Sequence, residues 1–523
     1  MLFNSLEFLL IFLPITTLIY YFLLFRYKKE AHLNFLIIAS LFFYGWWEPK
    51  YLILICLSIG INYLSGLLII KSLDNYFYKK FFLIIGIIFN LSLLFYYKYM
   101  FFMMEIFDSI FEFKINFLSV VLPLGISFFT FQQIAFLVDI YNEEKFNKKI
   151  NYYFLFITFF PQLIAGPIVH HKEIIEQYSY LKLKIQVVWK NLSLGLTLIT
   201  IGLFKKVLLA DKLAIWVDRA FNYSANEGTL TFIESWINVF FFSFQIYFDF
   251  SAYSDIALGL ALLFGLKLSI NFFSPYRATN VIEFWRLWHI TLSSFLKNYL
   301  YIPLGGNKKG KSKQLVNLLI VMLLGGVWHG AGWTFILWGL THGLLLSINH
   351  IMQYIKSPFY NNYLKKNYNY ICLCRLFTFV LVTMAWVLFR AENVDSAINI
   401  YLSLLGFNGI SLPTHYEILI GDFAYFLKQL GVSFKNLPNY GGGVQIIWLV
   451  FMFFWIWFLP NSIELMSKYN VFLETKDFKF KLEKSLIKWI PNKLYSIFFS
   501  FIFIFIIIKI FQGQEGEFIY FQF

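Results

Sequence analysis

The sequence predicts an all-α, polytopic integral membrane protein of about 11 to 14 spanning or re-entrant helices. Three observations predict it. Hydrophobic residues make up 59% of the 523 and charged residues only 14%, where a soluble chain carries about 25% charge. Apolar runs of roughly 20 residues, each long enough to cross a bilayer, recur from one end to the other. The lysines and arginines fall in short segments between those runs. The formal net charge of +14 therefore reflects the cytoplasmic bias of basic loops, and no nucleic-acid partner is expected. A single membrane domain over 1–523, surrounded by membrane lipid, is the expected organisation.

The first span (6–25) ends at Arg26, Lys28 and Lys29 and so runs inward, which puts the N-terminus outside. The first 15 residues lack a basic segment, and no removable signal peptide is expected. A second span returns outward by Trp46-Trp-Glu-Pro49, and the third (52–70) comes back to Lys71, Lys79 and Lys80. A fourth reaches an acid-bearing loop at Glu105 and Asp108, and a fifth (117–140) re-enters at Lys145, Lys148 and Lys149. The stretch 152–168 has basic residues on both sides and contains Pro161, Gly166 and Pro167. It reads as a re-entrant element, because irregular backbone at membrane depth persists only when buried in protein or facing water; a plain span kinked at proline is the alternative. Spans follow at 192–203, 232–248 and 252–266. Asp249 and Ser251 suit N-caps for a helix beginning near Ala252, while Asp249 and Asp255 together could also do acid/base work.

The segment 283–297 is patterned differently. At ~100° per residue, Glu283, Arg286, His289, Ser293 and Lys297 share one helix face. That face either lines an internal aqueous path or lies flat in the membrane interface. The basic run Lys308 to Lys313 then anchors the cytoplasmic side, or attracts the phosphates of a cytoplasmic donor through Lys308 and Lys309. From residue 315 to His329 is ~22 Å of helix at ~1.5 Å per residue, short of a hydrocarbon core of ~30 Å. Gly330-Ala-Gly332 supplies a turn, and 333–348 heads back. His329 thus sits at the tip of an intramembrane hairpin, and an ionisable residue at that depth is a functional candidate by default. His342 fits a hydrogen-bonding role within the hairpin better than a chemical one.

The span 371–389 goes out, 391–443 forms an extracytoplasmic segment suited to a partner, and 444–459 returns to a basic region (468–493). The last span, 494–511, exits, leaving the tail 512–523 outside. Cys56, Cys372 and Cys374 sit in or beside apolar runs without metal-ligand spacing, and no metal site is expected.

Six motifs carry a resemblance: Pro161-Gln-Leu-Ile-Ala-Gly-Pro167, Asp249-Phe-Ser-Ala-Tyr-Ser-Asp255, Phe284-Trp-Arg-Leu-Trp-His289, Tyr299-Leu-Tyr-Ile-Pro-Leu-Gly-Gly306, Gly325-Gly-Val-Trp-His-Gly-Ala-Gly-Trp333 and the terminal Phe518-Ile-Tyr-Phe-Gln-Phe523. In this order and along the whole chain, the sequence resembles the membrane-bound O-acyltransferases, in particular the bacterial branch of alginate and peptidoglycan O-acetylation. Ala252 departs from the glycine expected there. The resemblance implies that His329 is catalytic and His289 its companion in a buried reaction chamber. It also implies that Tyr520 is an acyl-carrying tyrosine docked by Phe518 and Phe523. Imidazole, with an ordinary pKa of ~6.5, suits the general base that strips a proton from an attacking hydroxyl. The expected activity moves an acetyl group from acetyl-CoA, a substrate rather than a bound cofactor, across a bacterial cytoplasmic (inner) membrane. An extracytoplasmic serine-type O-acetyltransferase would finish the transfer to polysaccharide. Other readings are D-alanyl transfer to teichoic acid, or a transporter or export channel whose path these residues would line.

Overall fold

The computed structural model describes residues 1–27, 30–111, 121–143, 147–179, 184–226, 228–355, 367–440, 442–473, 488–513 and 516–519. Among these residues, eight helices are long and apolar enough to cross a membrane: Glu7–Arg26, Tyr51–Lys71, Tyr76–Phe111, Ile185–Ala225, Phe232–Leu263, Trp333–Ile355, Tyr368–Arg390 and Lys493–Phe511. Two shorter apolar helices, Ala31–Gly45 and Gly443–Phe458, join them. The regular sheet among the described residues is a small parallel pair, Ile410–Pro413 with Val432–Lys435, inside the long non-spanning segment. The polytopic all-α class is therefore as the sequence predicts.

At the centre lies Phe232–Leu263, whose apolar stretch is wholly buried inside the protein. Helices in lipid gain no hydrophobic drive from meeting each other, so they close up through small residues and buried amides. Both devices are present. Gly195 and Gly259 let Ile185–Leu203 cross the central helix so tightly that a Cβ on Gly259 would meet the Gly195 carbonyl oxygen at 2.6 Å. The Asn90 amide donates to Asn62 Oδ1 at 2.6 Å and the Ser58 hydroxyl to Gln133 Oε1 at 2.8 Å. These bonds tie Tyr51–Lys71, Tyr76–Leu94 and Ile126–Glu143 together.

The stretch expected to be re-entrant is broken and buried. Ile150–Thr158 and Phe160–Leu163 are separated at Phe159, and irregular backbone follows to His170. Side chains from neighbouring elements satisfy it. Ser40 Oγ accepts from the Phe160 N–H at 3.2 Å, the Tyr253 hydroxyl oxygen from Ala165 at 3.3 Å, and Thr291 Oγ1 from Ile168 at 3.0 Å.

Other expectations are corrected. Residues 232–263 form one helix, not two, and it begins at a capping box in which Glu234 accepts the Thr231 N–H at 3.0 Å. Asp249 and Ser251 are interior residues of that helix and cap nothing; buried lysines match the acids instead. The fourth span runs on through a wide π-turn at Phe95–Tyr99 to Phe111, so Glu105 and Asp108 ride on a helix rather than a loop. Ile185–Leu203 likewise continues, through a π-turn at Phe204–Ala210, to Ala225. The fifth helix starts at Ile126, and 112–120 lie outside the described residues, as does most of the basic stretch 468–493.

The polar stripe of 283–297 is not one helix face. Val281–Leu287 and Ile290–Leu296 are separate helices, with Trp288 extended and His289 left-handed at φ 41° between them. Tertiary hydrogen bonds cause the break. The Phe273 N–H donates to the Leu287 carbonyl at 3.0 Å and the Ile290 N–H to the Asn271 carbonyl at 2.9 Å. The strand-like segment beside the break thus captures backbone groups that a continuous helix would use internally.

Candidate active site

Lys311–His329 and Trp333–Ile355 form the predicted hairpin, with the turn at Gly330-Ala331-Gly332. Its arms touch backbone to backbone. A Cβ on Gly326 would lie 2.3 Å from the Phe335 carbonyl oxygen and 3.0 Å from the Gly339 Cα. A helix that stops inside the protein leaves its last carbonyls without intrahelical partners. Lys98 answers that need: its Nζ donates to the Trp328 carbonyl at 2.7 Å and to the His329 carbonyl at 3.0 Å. The Tyr99 hydroxyl donates to the Val327 carbonyl at 2.9 Å. A cation at a helix C-terminus also meets the negative end of the helix dipole. His329 is only 5% exposed, its ring held against Trp328 and Trp338 at centroid distances of 4.9 Å each and against Phe389 at 5.3 Å.

A cavity of about 630 Å³ opens onto this tip. Its walls include His329, Trp328, Lys98, Ser127, Trp46, Trp47 and the chain's own first residues, and Glu517 of the C-terminal tail also lines it. His289 does not line the cavity; the Trp328 ring is 6.3 Å from it and 4.9 Å from His329. His289 is fully buried, with Nδ1 3.1 Å from Asn271 Oδ1. That same oxygen accepts from the Thr291 N–H and hydroxyl at 3.3 and 3.0 Å, which fixes it as an acceptor. In the neutral ring Nδ1 therefore carries the proton and Nε2 keeps its lone pair.

The other residues singled out in the sequence are dispersed. Arg286, Lys297, Lys308 and Lys309 are exposed, Ser293 is half-buried with its hydroxyl donating to the Trp288 carbonyl at 3.4 Å, and none of them lines the His329 cavity. The break at His289 turns the two halves of the stripe apart. Asp249 and Asp255 are buried in ion pairs, with Lys206 at 2.8 Å and Lys205 at 2.7 Å respectively. His342 does hydrogen-bond, but to Trp285 outside the hairpin, whose indole N–H donates to its Nδ1 at 3.2 Å. Phe518 is buried against Tyr253 rather than placed at a lipid surface; Tyr520 and Phe523 lie outside the described residues. The three cysteines are unbridged.

Sequence reasoning missed Lys98, Lys205 and Lys206. Each was visible as a charge inside an apolar run, the same signal that selected His329, but all three were absorbed into the general lysine pattern.

Comparison with known proteins gives this architecture a family. A family model described as MBOAT, the membrane-bound O-acyltransferase family, matches residues 147–389, a stretch containing both His289 and His329. A protein of Helicobacter pylori named peptidoglycan O-acetyltransferase is 43% identical over 444 residues, 79% of this chain and 81% of that one. A Pseudomonas aeruginosa protein named probable alginate O-acetylase AlgI is 36% identical over 415 residues, 78% of this chain and 75% of that one. A Streptococcus thermophilus protein named teichoic acid D-alanyltransferase is 28% identical over 234 residues, 43% of this chain and 56% of that one. The chain belongs to the membrane-bound O-acyltransferase family and is a multi-pass membrane acyltransferase.

Proposed function

We propose that this acyltransferase moves an acetyl group from cytoplasmic acetyl-CoA across the inner membrane for O-acetylation of an extracytoplasmic polysaccharide of the peptidoglycan or alginate type. The group travels as an ester on Tyr520, and a separate serine-type transferase takes it from there. One observation carries this reading: Glu517 and His329 line the same cavity. Two residues, Phe518 and Ile519, separate Glu517 from Tyr520, a reach of about 10 Å when extended. The names of the relatives at 43% and 36% identity supply the acetyl group and the polysaccharide classes. The relatives of Streptococcus thermophilus and Bacillus subtilis named for teichoic acid D-alanyl transfer match 43% and 44% of this chain.

The chemistry is acyl transfer in two steps. The phenol oxygen of Tyr520 attacks the thioester carbonyl carbon while His329 takes the phenol proton. The carbon–sulfur bond breaks, and the proton passes to the departing thiolate. The partner's serine oxygen then attacks the tyrosyl ester, and the tyrosine oxygen leaves with that serine's proton. His289, with its Nε2 lone pair, acts as companion acceptor beside Trp328. The donor stays inside while the acetyl group leaves, with the termini on the outer side that the lysine pattern assigns to them.

The test is peptide mass spectrometry of the full-length protein in lipid nanodiscs after incubation with isotope-labelled acetyl-CoA. Label is expected on the terminal peptide of the wild type and on neither His329→Ala nor Tyr520→Phe. Label persisting on that peptide in Tyr520→Phe would remove the tyrosyl ester. Label persisting in His329→Ala would remove His329 as the base.

A further inference from the structure

The tail does not reach the His329 cavity unsupported. Lys206, fully enclosed on the π-turn Phe204–Ala210, places its Nζ 2.7 Å from Asp211 Oδ1 and 2.8 Å from Asp249 Oδ1. The same ammonium donates to the Glu517 carbonyl at 2.8 Å and lies 4.6 Å from the centroid of the Phe518 ring. Asp249 uses its second oxygen for the tail, with Oδ2 accepting the Ile519 N–H at 2.9 Å. The Phe518 ring stands edge-on to Tyr253 at 5.2 Å. Upstream, Asn4 Nδ2 donates to the Gly516 carbonyl at 3.0 Å, and a Cβ at residue 516 would meet Asp211 Oδ1 at 2.5 Å, so the chain passes directly over that carboxylate.

We propose that Lys206, Asp249 and Asp211 form a charged socket that sets the register of the C-terminal tail, and so act as positioning residues for acyl loading of Tyr520; this rests on the acyl-relay reading above. Buried ion pairs contribute little net stability compared with apolar packing, and their best-attested use is to fix register. This cluster suits that use. It reads the tail through main-chain groups at 517 and 519 and one aromatic face at 518, a pattern that slips out of match if the tail shifts by a single residue. The socket also survives without its occupant. When the tail lifts, Lys206 keeps both carboxylates and each carboxylate keeps Lys206, so no buried charge is left alone. A seat of that kind lets the tail dock for loading and leave to present the acyl group to a partner.

The experiment uses the full chain in nanodiscs and two readouts, hydrogen exchange at the Ile519 amide and isotope-labelled acetyl on the terminal peptide. In Asp249→Asn and Lys206→Met, and in Phe518→Ala, which leaves the charge cluster intact and guards against misfolding of the other two, exchange at residue 519 is expected to accelerate at least tenfold. Terminal labelling is expected to fall at least tenfold, while His329-dependent hydrolysis of acetyl-CoA persists. A merely structural role would lower hydrolysis and labelling together, and that result would overturn the proposal. So would unchanged exchange at residue 519, or faster exchange with undiminished labelling. A wild type that never labels its tail would remove the relay, while accelerated exchange in the variants would still support the socket.

Discussion

Lys98→Met tests whether the hairpin tip is held from outside. The substitution keeps a long apolar stem and removes the ammonium, so two charge-assisted hydrogen bonds, at 2.7 and 3.0 Å, vanish from the last turn before Gly330. A hydrogen bond to a charged group contributes roughly 1.5–3 kcal/mol. The two bonds share one donor group and are not additive, so about 3 kcal/mol is a working figure. Global stability will feel only part of it. The freed carbonyls border a cavity of about 630 Å³, room enough for water to replace the lost donor, and the unfolding temperature is expected to drop by only a few degrees. The restraint on His329 has no such substitute. If it is realised in the transition state, about 3 kcal/mol corresponds to roughly a 10²-fold slower transfer. Labelled-acetyl transfer and thermal unfolding, measured side by side, check this. Lys98→Arg should recover much of the rate, since a guanidinium also offers two donors. Transfer by Lys98→Met within about threefold of wild type would refute the reasoning, because the tip would then hold its geometry without the lysine.

Gly326→Ala places a Cβ 2.3 Å from the Phe335 carbonyl oxygen and 3.0 Å from the Gly339 Cα. These are backbone atoms that cannot turn away, so thermal unfolding should report a loss of about 1–3 kcal/mol and transfer should fall further than stability does. Lys205→Met strips Asp255 of its buried partner at 2.7 Å, a change of about 3–5 kcal/mol. The double variant with Asp255→Asn should be more stable than the sum of the single losses predicts; strict additivity in that cycle would deny the pair. Arg286→Ala and Lys297→Ala alter exposed residues outside the cavity, so unfolding should shift by less than about 0.5 kcal/mol and transfer by less than about twofold. A tenfold fall in either would restore a functional polar face.

Local chemistry was legible wherever the chain answers to itself or to lipid. The hairpin tip at His329 followed from helix length, bilayer thickness and two glycines, and the broken stretch 150–170 followed from prolines flanked by basic residues on both sides. Long-range hydrogen bonds were not legible. Residues 283–297 have a helical period, yet Asn271 and Phe273, more than ten positions upstream, take the backbone groups around His289 and split the helix. The helix Phe232–Leu263 reads as two spans because Asp249, Ser251 and Asp255 look like surface chemistry. They are tolerated mid-helix because Lys205 and Lys206 come from a helix crossing beside them, held close through Gly195 and Gly259. A single sequence carries no marker of which acid meets which base.

Lys98, half-buried at the cavity wall, and the buried Lys205 and Lys206 share a local device. Lys98 sits on the π-turn Phe95–Tyr99, and Lys205 and Lys206 sit on the π-turn Phe204–Ala210. A π-turn inserts an extra residue into the helical repeat and rotates the following side chains out of register, and such turns recur at functional sites. Both turns direct an ammonium toward the point where another part of the chain ends or returns. Lys98 grips the carbonyls that close the His329 helix, and Lys206 grips the carbonyl of Glu517 in the tail. In a permeation path, intramembrane charges face a moving ion or one another along the route. Here each lysine is committed to fixed protein oxygens, and two of the three hold in place the chain segments that meet at one cavity. Charge committed in that manner serves geometry, and the proposed loading of Tyr520 from a thioester with His329 as base is chemistry that demands it, since misplacement by 1 Å can slow such a reaction about 10²-fold.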